Sequence, residues 1–335
     1  MHSSILSAIL LVGTLTQAAL SADRELNADV TYKRMCDASA AVALSPERFV
    51  VASDEGAKLR IYRYGQEQPE VEQDLADFLD LEGDPEADLE GAAWVGERIY
   101  WIGSHGRNSD GDKQPNRRRL FATKAIVTEG KARLEFVGEP YKHLLRDLKS
   151  DSRFDRFHLD AAAELAAESP NGLNIEGLSS TPDGDVLIGF RNPLPQGKAL
   201  LVSLTNPHKV LEGKVAEFGD PILLDVGHRG IRSLEYWAAR RMYLIIAGPF
   251  DNDGDFALYQ WSGRPDDSPT VVEAAKFRTL GLDDLHPEAL FVRDDASGLI
   301  QIFSDDGDRH LSPGEKKCKK LDPSNQLFRS LFLRW

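Results

Sequence analysis

Five acidic residues recur in the same local phrase of this 335-residue chain: Asp37, Glu90, Glu176, Glu235 and Glu288. Each stands ahead of a short apolar stretch, a turn, and a second, strongly apolar stretch with a polar ending. The endings are Asp54-Glu55, Ser104-His105-Gly106-Arg107-Asn108, Arg191-Asn192, Asp251-Asn252-Asp253 and Asp305-Asp306. Carboxylates gathered about one point repel one another unless a cation or basic side chains neutralise them. Oxygen ligands in this number suit a hard divalent cation such as Ca2+. The candidate ligands are Glu90, Glu176, Glu235, Glu288, Asp251 and Asp253. Guanidinium groups beside a metal can hold an anionic oxygen such as that of a phosphate. Glu90, His105, Arg107 and Arg191 therefore read as a catalytic set, with Glu90 or His105 as base and the arginines on the anion.

The same residues also suit plainer roles. Asp, Asn and Gly make turns, and carboxylates interleaved with arginines also describe a salt-bridged rim. Asp251-Asn-Asp-Gly-Asp255 resembles the start of a calcium loop, but position 12 is Ser262 where an EF-hand requires Glu. No GxSxG elbow and no HExxH occurs, so a serine hydrolase of the elbow type and a zincin are excluded.

The spacing indicates what must position these residues. Successive anchors are 53, 86, 59 and 53 residues apart, and a four-stranded propeller blade takes roughly 40–50 residues plus loops. Five anchors and five second strands predict an all-β fold, a β-propeller of five blades, or six if residues 150–172 hide strands. The long interval contains Ala/Glu/Leu-rich residues 157–168, which read as a short helical insertion. Third strands are expected at 58–63, 118–123, 198–204, 256–261 and 327–333, and a fourth at 131–136. The fifth unit lacks an outer strand. Residues 27–33 are the candidate to supply it and so close the ring. In this layout every anchor opens an innermost strand and every polar ending lies on the same face, so all converge on one mouth. A glycine follows Glu90 and Glu176, as close backbone approach at a crowded channel requires.

Residues 1–22 contain no Lys, Arg, Asp or Glu, and Ile5–Leu15 form an apolar run followed by Ala18, Ala19, Ser21 and Ala22. This reads as a signal peptide, with residues 23–335 a single propeller domain, exported to the periplasm or the extracellular space. No later stretch is long and apolar enough to span a membrane. The net charge of −14 argues against nucleic acid as a partner; a small anionic ligand or substrate and a monomer are expected. Two cysteines, Cys36 and Cys318, fall where the first and last blades of a closed ring meet, and export favours a disulfide between them.

Several phrases carry a family resemblance: Asp88-Leu-Glu-Gly-Ala-Ala, Ile99-Tyr-Trp-Ile-Gly-Ser-His-Gly-Arg-Asn108, Pro115-Asn-Arg-Arg-Arg-Leu-Phe-Ala122, Asn174-Ile-Glu-Gly-Leu and Ile188-Gly-Phe-Arg-Asn-Pro193. They resemble an exported bacterial family catalogued as domain of unknown function 3616, over roughly residues 36–333. The resemblance implies an exported propeller-like domain and no established activity, so it carries over no catalytic residue. The Glu-Gly anchors more distantly resemble phytase-like esterase propellers. Two functions stay open: a metal-assisted hydrolase of a phosphoester-like substrate, and a non-enzymatic propeller that holds a ligand or protein at its mouth. For the second, Trp94, Trp101 and Trp237 either face the ligand or fill the core between blades.

Overall fold

The structure is a computed structural model. It describes residues 26–335 apart from 84–85, 129, 252, 273–283, 294–296, 313 and 315, with side chains from residue 30 onward. The expected signal peptide lies outside the described residues.

Among the described residues, twenty strands form five four-stranded antiparallel sheets. The first strand, β1 (Leu26–Lys33), is set aside for closure. Blade one is β2 (Ala40–Ser45), β3 (Arg48–Ala52), β4 (Lys58–Arg63) and β5 (Val71–Asp74). Blade two is β6 (Leu89–Val95), β7 (Arg98–Gly103), β8 (Leu120–Val127) and β9 (Ala132–Tyr141). Blade three is β10 (Asn174–Ser180), β11 (Val186–Asn192), β12 (Ala199–Leu204) and β13 (Ile222–Leu224). Blade four is β14 (Gly230–Trp237), β15 (Met242–Gly248), β16 (Ala257–Trp261) and β17 (Thr270–Val271). Blade five is β18 (Pro287–Val292), β19 (Leu299–Ser304) and β20 (Leu327–Arg334), with β1 paired to β20 as its outer strand. The chain's beginning and end thus share one sheet, which removes the open edge a linear array would leave.

Second strands sit between two neighbouring blades and are covered on both faces, so they read as unbroken apolar runs; β3 and β11 are buried at every residue. The outer β5 alternates between half-buried and exposed, the pattern of a strand with one wet face. Between blades lie separate apolar cores. Val50, Ile61, Trp101 and Phe121 join blades one and two. Leu187, Leu201, Ile231 and Ile245 join three and four. Tyr32, Phe49, Phe303 and Phe328 close five onto one. Trp101 is fully buried there, its indole N–H donating to Thr123 Oγ1 at 3.0 Å.

Helical structure between blades two and three starts earlier than residues 157–168. It consists of α1 (Leu144–Ser150), a 3-10 turn (Ser152–Phe157) and a single turn α2 (Leu159–Ala162). Leu144, Leu148, Phe154 and Phe157 bury themselves in the core of blades two and three, and that anchoring, more than Ala/Glu propensity, fixes where the helices lie. Residues 150–172 contain no strand, so the ring has five blades. Residues 163–169 turn back over the mouth.

Cys36 and Cys318, 282 positions apart in sequence, form a disulfide with Cα atoms 5.9 Å apart. It ties the segment entering blade one to the connection between β19 and β20 in blade five.

Candidate functional site

Innermost strands β6, β10, β14 and β18 each carry a register irregularity near their start. Pairing jumps from Leu89 to Gly91, from Ile175 to Gly177, from Ile231 to Ser233 and from Pro287 to Ala289. A bulge leaves one residue unpaired and re-aims its side chain. The bulged residues are Glu90, Glu176, Arg232 and Glu288, and all four are buried at the mouth. The expected glycine contacts hold as well. A Cβ on Gly91 would fall 2.7 Å from Leu178 Cβ, and one on Gly177 would fall 2.5 Å from Ile231 Cγ2, both on the next blade's innermost strand.

Blade four breaks the acidic series. Its bulged residue is Arg232, whereas Glu235 lies three residues further along β14, towards the opposite end of the strand. There it borders a cavity with Trp94, Tyr236 and Trp237, and burial pushes its carboxyl up to about 8. The sequence places Arg232 near the mouth but not as the anchor of blade four, although Gly230-Ile-Arg-Ser-Leu aligns with Asn174-Ile-Glu-Gly-Leu through the shared Ile and Leu.

Arg232 changes the chemistry of the ring. Its Nη1 donates to both oxygens of Glu176, at 3.1 and 2.9 Å, and its Nη2 lies 3.1 Å from Glu288 Oε1. Arg191 Nη1 donates to Glu176 Oε1 at 2.8 Å, and Asn174 Nδ2 donates to the same oxygen at 2.9 Å. Glu176, 2% exposed, is thus saturated by two guanidiniums and an amide. It is one half of a buried salt bridge. Arg191 further bonds Pro249 O, Glu168 Oε1 and Asp251 O. Arg107 is engaged in the same way, with Ala163 O, Gly111 O and Glu164. Both arginines fasten the folded-back insertion and the blade loops to the mouth.

Glu90 differs. It is 8% exposed and makes no hydrogen bond or ion pair among the described residues. Burial raises its carboxyl well above the usual range, and the nearby Glu176, Asp88, Asp54 and Glu288 push in the same direction. Burial also lifts Glu288 to about 8 and Asp88 to about 6. Beside Glu90 on the cavity wall stands Asn174, whose Oδ1 is buried without a partner. These groups line a cavity of about 320 Å³ at the mouth, in which ten carboxylates face four basic side chains, Arg107, Arg117, Arg191 and Lys319.

Where blades one and five meet, carboxylate oxygens of Asp37 and of the cavity-lining Asp54 and Asp305 lie within 4.8 Å of one another. Asp37 was expected as an anchor and Asp54 and Asp305 as polar endings, but their convergence needs the ring to close.

The other expected site residues lie elsewhere. Asp251 Oδ1 accepts from the N–H of Asp253 at 3.1 Å in a local turn, and Asp253 is exposed; neither lines the cavity. His105 is buried in a left-handed conformation with φ 59°, its Nδ1 2.8 Å from Gly103 O. Burial lowers it to about 4, so it is neutral at pH 7, and it does not line the cavity. Trp101 and Trp237 fill the core between blades.

Over residues 37–134 and 123–311 the sequence matches the family described as protein of unknown function, DUF3616. The chain belongs to this family. No curated protein matches it. Among solved structures, the glutaminyl cyclase of Myxococcus xanthus superposes with a TM-score of 0.46 at 12% identity, over 92% of this chain and 97% of that one. A thermostable family-43 glycoside hydrolase gives 0.46 at 11% identity, over 91% and 89%. The Swd1 β-propeller domain of Myceliophteria thermophila gives 0.39 at 9% identity, over 93% and 99%. No helix among the described residues is long and apolar enough to cross a membrane.

Proposed function

We propose that the mouth of the propeller binds a divalent cation and that the loaded mouth is a metal-assisted hydrolase of a small anionic, phosphoester-like substrate. One observation carries this reading: Glu90, a buried carboxylate with no partner, faces a cavity already rich in acid. An ionised carboxylate so placed costs several kcal/mol unless a proton or a cation joins it. Oxygen ligands select hard cations such as Ca2+, Mg2+ or Mn2+. Glu90, Asn174 Oδ1 and Glu288 are the groups with free ligand capacity.

The cation also supplies what an anion needs. With ten carboxylates against four basic groups, an anion meets net repulsion until a metal is bound. A cation held by these groups would offset that repulsion and would supply Lewis-acid polarisation of a substrate oxygen. Glu90 is the candidate base: a cation beside it would keep its carboxylate ionised and so able to accept a proton from an attacking water. Arg191 and Arg107 are positioning residues that hold Glu176 and the insertion in place. The disulfide, and the absence of a membrane-crossing helix among the described residues, support export.

The saturation of Arg191 favours a second reading, in which the loaded mouth only binds its ligand. A panel of phosphomonoesters, phosphodiesters and carboxyl esters, assayed with calcium, magnesium or manganese and with chelator, separates the two. Turnover that needs metal and is lost in Glu90→Gln is the expected result. No turnover of any ester with any of these metals would reject the hydrolase and leave the binding module.

A further inference from the structure

We infer that a further cavity, walled by the β7–β8 connection and the segment joining β5 to β6, binds an oxyanion group through the guanidinium of Arg118, with Arg119 beside it. This goes beyond the hydrolase reading and does not depend on it.

Pro115-Asn-Arg-Arg-Arg119 puts three arginines in a row, and the fold sends them two ways. Arg117 lines the mouth and is ion-paired with Asp88 at 3.0 Å and with Glu86. Arg118 and Arg119 instead line a separate cavity of about 510 Å³, within the range of small-molecule sites. Its other walls are residues 80–82, between β5 and β6, and Lys142, just after β9.

Neither arginine has a counter-ion. Of the seven buried arginines among the described residues, six have a carboxylate oxygen within 3.8 Å, whereas Arg119 has no ion pair. Arg119 is fastened by carbonyl oxygens alone, those of Leu79, Asp80, Pro115 and Arg118, at 2.7–3.2 Å. Carbonyl dipoles orient a guanidinium without cancelling its charge, and burial works against that charge, holding the group below the ordinary arginine range. Arg118 has still less. It is half-buried, its side chain makes no hydrogen bond or ion pair among the described residues, and its Nε is enclosed without a partner.

The acids facing the cavity do not serve as counter-ions. Asp80 is held by Lys142 at 2.7 Å, which keeps its carboxyl below the usual range. Glu82 is exposed and its carboxylate forms no ion pair among the described residues; only its backbone is engaged, by the Asn116 amide at 3.3 and 2.8 Å. The nearby His105 is kept neutral by burial and by the charges of Arg118 and Arg119 themselves. Gln114 adds a side-chain amide that bonds nothing among the described residues. In a chain of net charge −14, this wall therefore presents two guanidiniums without a carboxylate and an amide without a partner. That is the donor set a phosphate, sulfate or carboxylate group uses.

The test is calorimetric titration of inorganic phosphate, sulfate and acetate, at constant ionic strength and in chelator. The full disulfide-bonded chain is used as wild type, Arg118→Gln, Asp80→Asn and Glu90→Gln. In chelator the acidic mouth repels anions, so saturable binding reports this cavity. Wild type should bind at least one of the three anions at millimolar concentration, and the one bound most tightly names the class of group. Arg118→Gln should weaken that binding about tenfold or more, the loss expected for a hydrogen bond to a charged group. Its side chain bonds nothing, so the fold should be unaffected. Asp80→Asn should tighten binding severalfold, because a negative charge leaves the cavity and Lys142 is released. Asn tolerates the left-handed φ of 50° at this position. Glu90→Gln should bind as wild type does, whatever its effect on hydrolysis. The inference is overturned if wild type binds none of the three anions, if Arg118→Gln binds as tightly as wild type, or if Asp80→Asn binds more weakly. Loss of binding in Glu90→Gln alone would also overturn it, by placing the anion at the mouth.

Discussion

Replacing Glu176 with Gln removes one negative charge from the most buried part of the mouth and leaves the shape nearly unchanged. Wild-type Glu176 receives Arg191, two contacts from Arg232 and Asn174 on its two oxygens. Gln offers one oxygen to these donors and turns its own NH2 towards a guanidinium. Arg232 is 2% exposed and keeps only Glu288 as an ionic partner, while Arg191 keeps Glu168. Removing one side of a buried pair costs about 3–5 kcal/mol, because the charge left behind stays desolvated. With an unfolding entropy of about 2.1 cal/mol/K per residue over roughly 310 residues, the expected fall in Tm is about 5–8 °C. Calorimetry in chelator and again in calcium is the assay. The fall should be the same in both, since arginines and not a metal neutralise Glu176. An unchanged Tm in chelator, or a fall seen only when calcium is present, would refute this assignment and return Glu176 to the metal ligands.

Thiol labelling of the denatured, unreduced protein should find no free cysteine, and reduction should destabilise the ring by up to about 6 kcal/mol on the chain-entropy estimate; two labelled thiols would contradict the bridge. Glu235 has its carboxyl raised from 4.5 to about 8, so the fold favours its protonated form. Its contribution to stability is complete below about pH 4.5 and is lost as pH rises through 8. Denaturant titrations across that window should therefore show Glu235→Gln gaining on wild type as pH increases, and parallel curves would exclude the shift. Gly230→Ala places a Cβ 1.9 Å from the Arg191 carbonyl oxygen, a backbone clash that should cost at least about 1–3 kcal/mol by urea unfolding; an unaffected midpoint would mean that the two blades are not in this contact.

The architecture was legible because propeller blades repeat, so even a weak phrase recurring five times locates strands, closure and disulfide. The site was legible only in part. Glu90, Glu176 and Glu288 were found because an acidic residue opening an innermost strand is a local pattern. Glu235 was mistaken for the fourth because Glu-Tyr-Trp imitates that pattern, while the bulge that aims a side chain into the mouth falls at Arg232. Bulge position depends on pairing with β15, which a single strand's sequence does not display. His105 looked catalytic by its polar company, yet burial makes it a neutral core residue. The carboxylate cluster of Asp37, Asp54 and Asp305 was hidden for a topological reason: residues 268 positions apart, Asp37 and Asp305, meet only once the ring closes.

The central claim is that the unpartnered Glu90 marks a cation site at the mouth. Calorimetric titration of calcium into metal-free wild type and Glu90→Gln tests it most directly. The prediction is saturable binding to wild type, with one ion fewer bound by Glu90→Gln and its circular dichroism unchanged. Identical isotherms for the two proteins, or no binding to wild type at millimolar calcium, would contradict it.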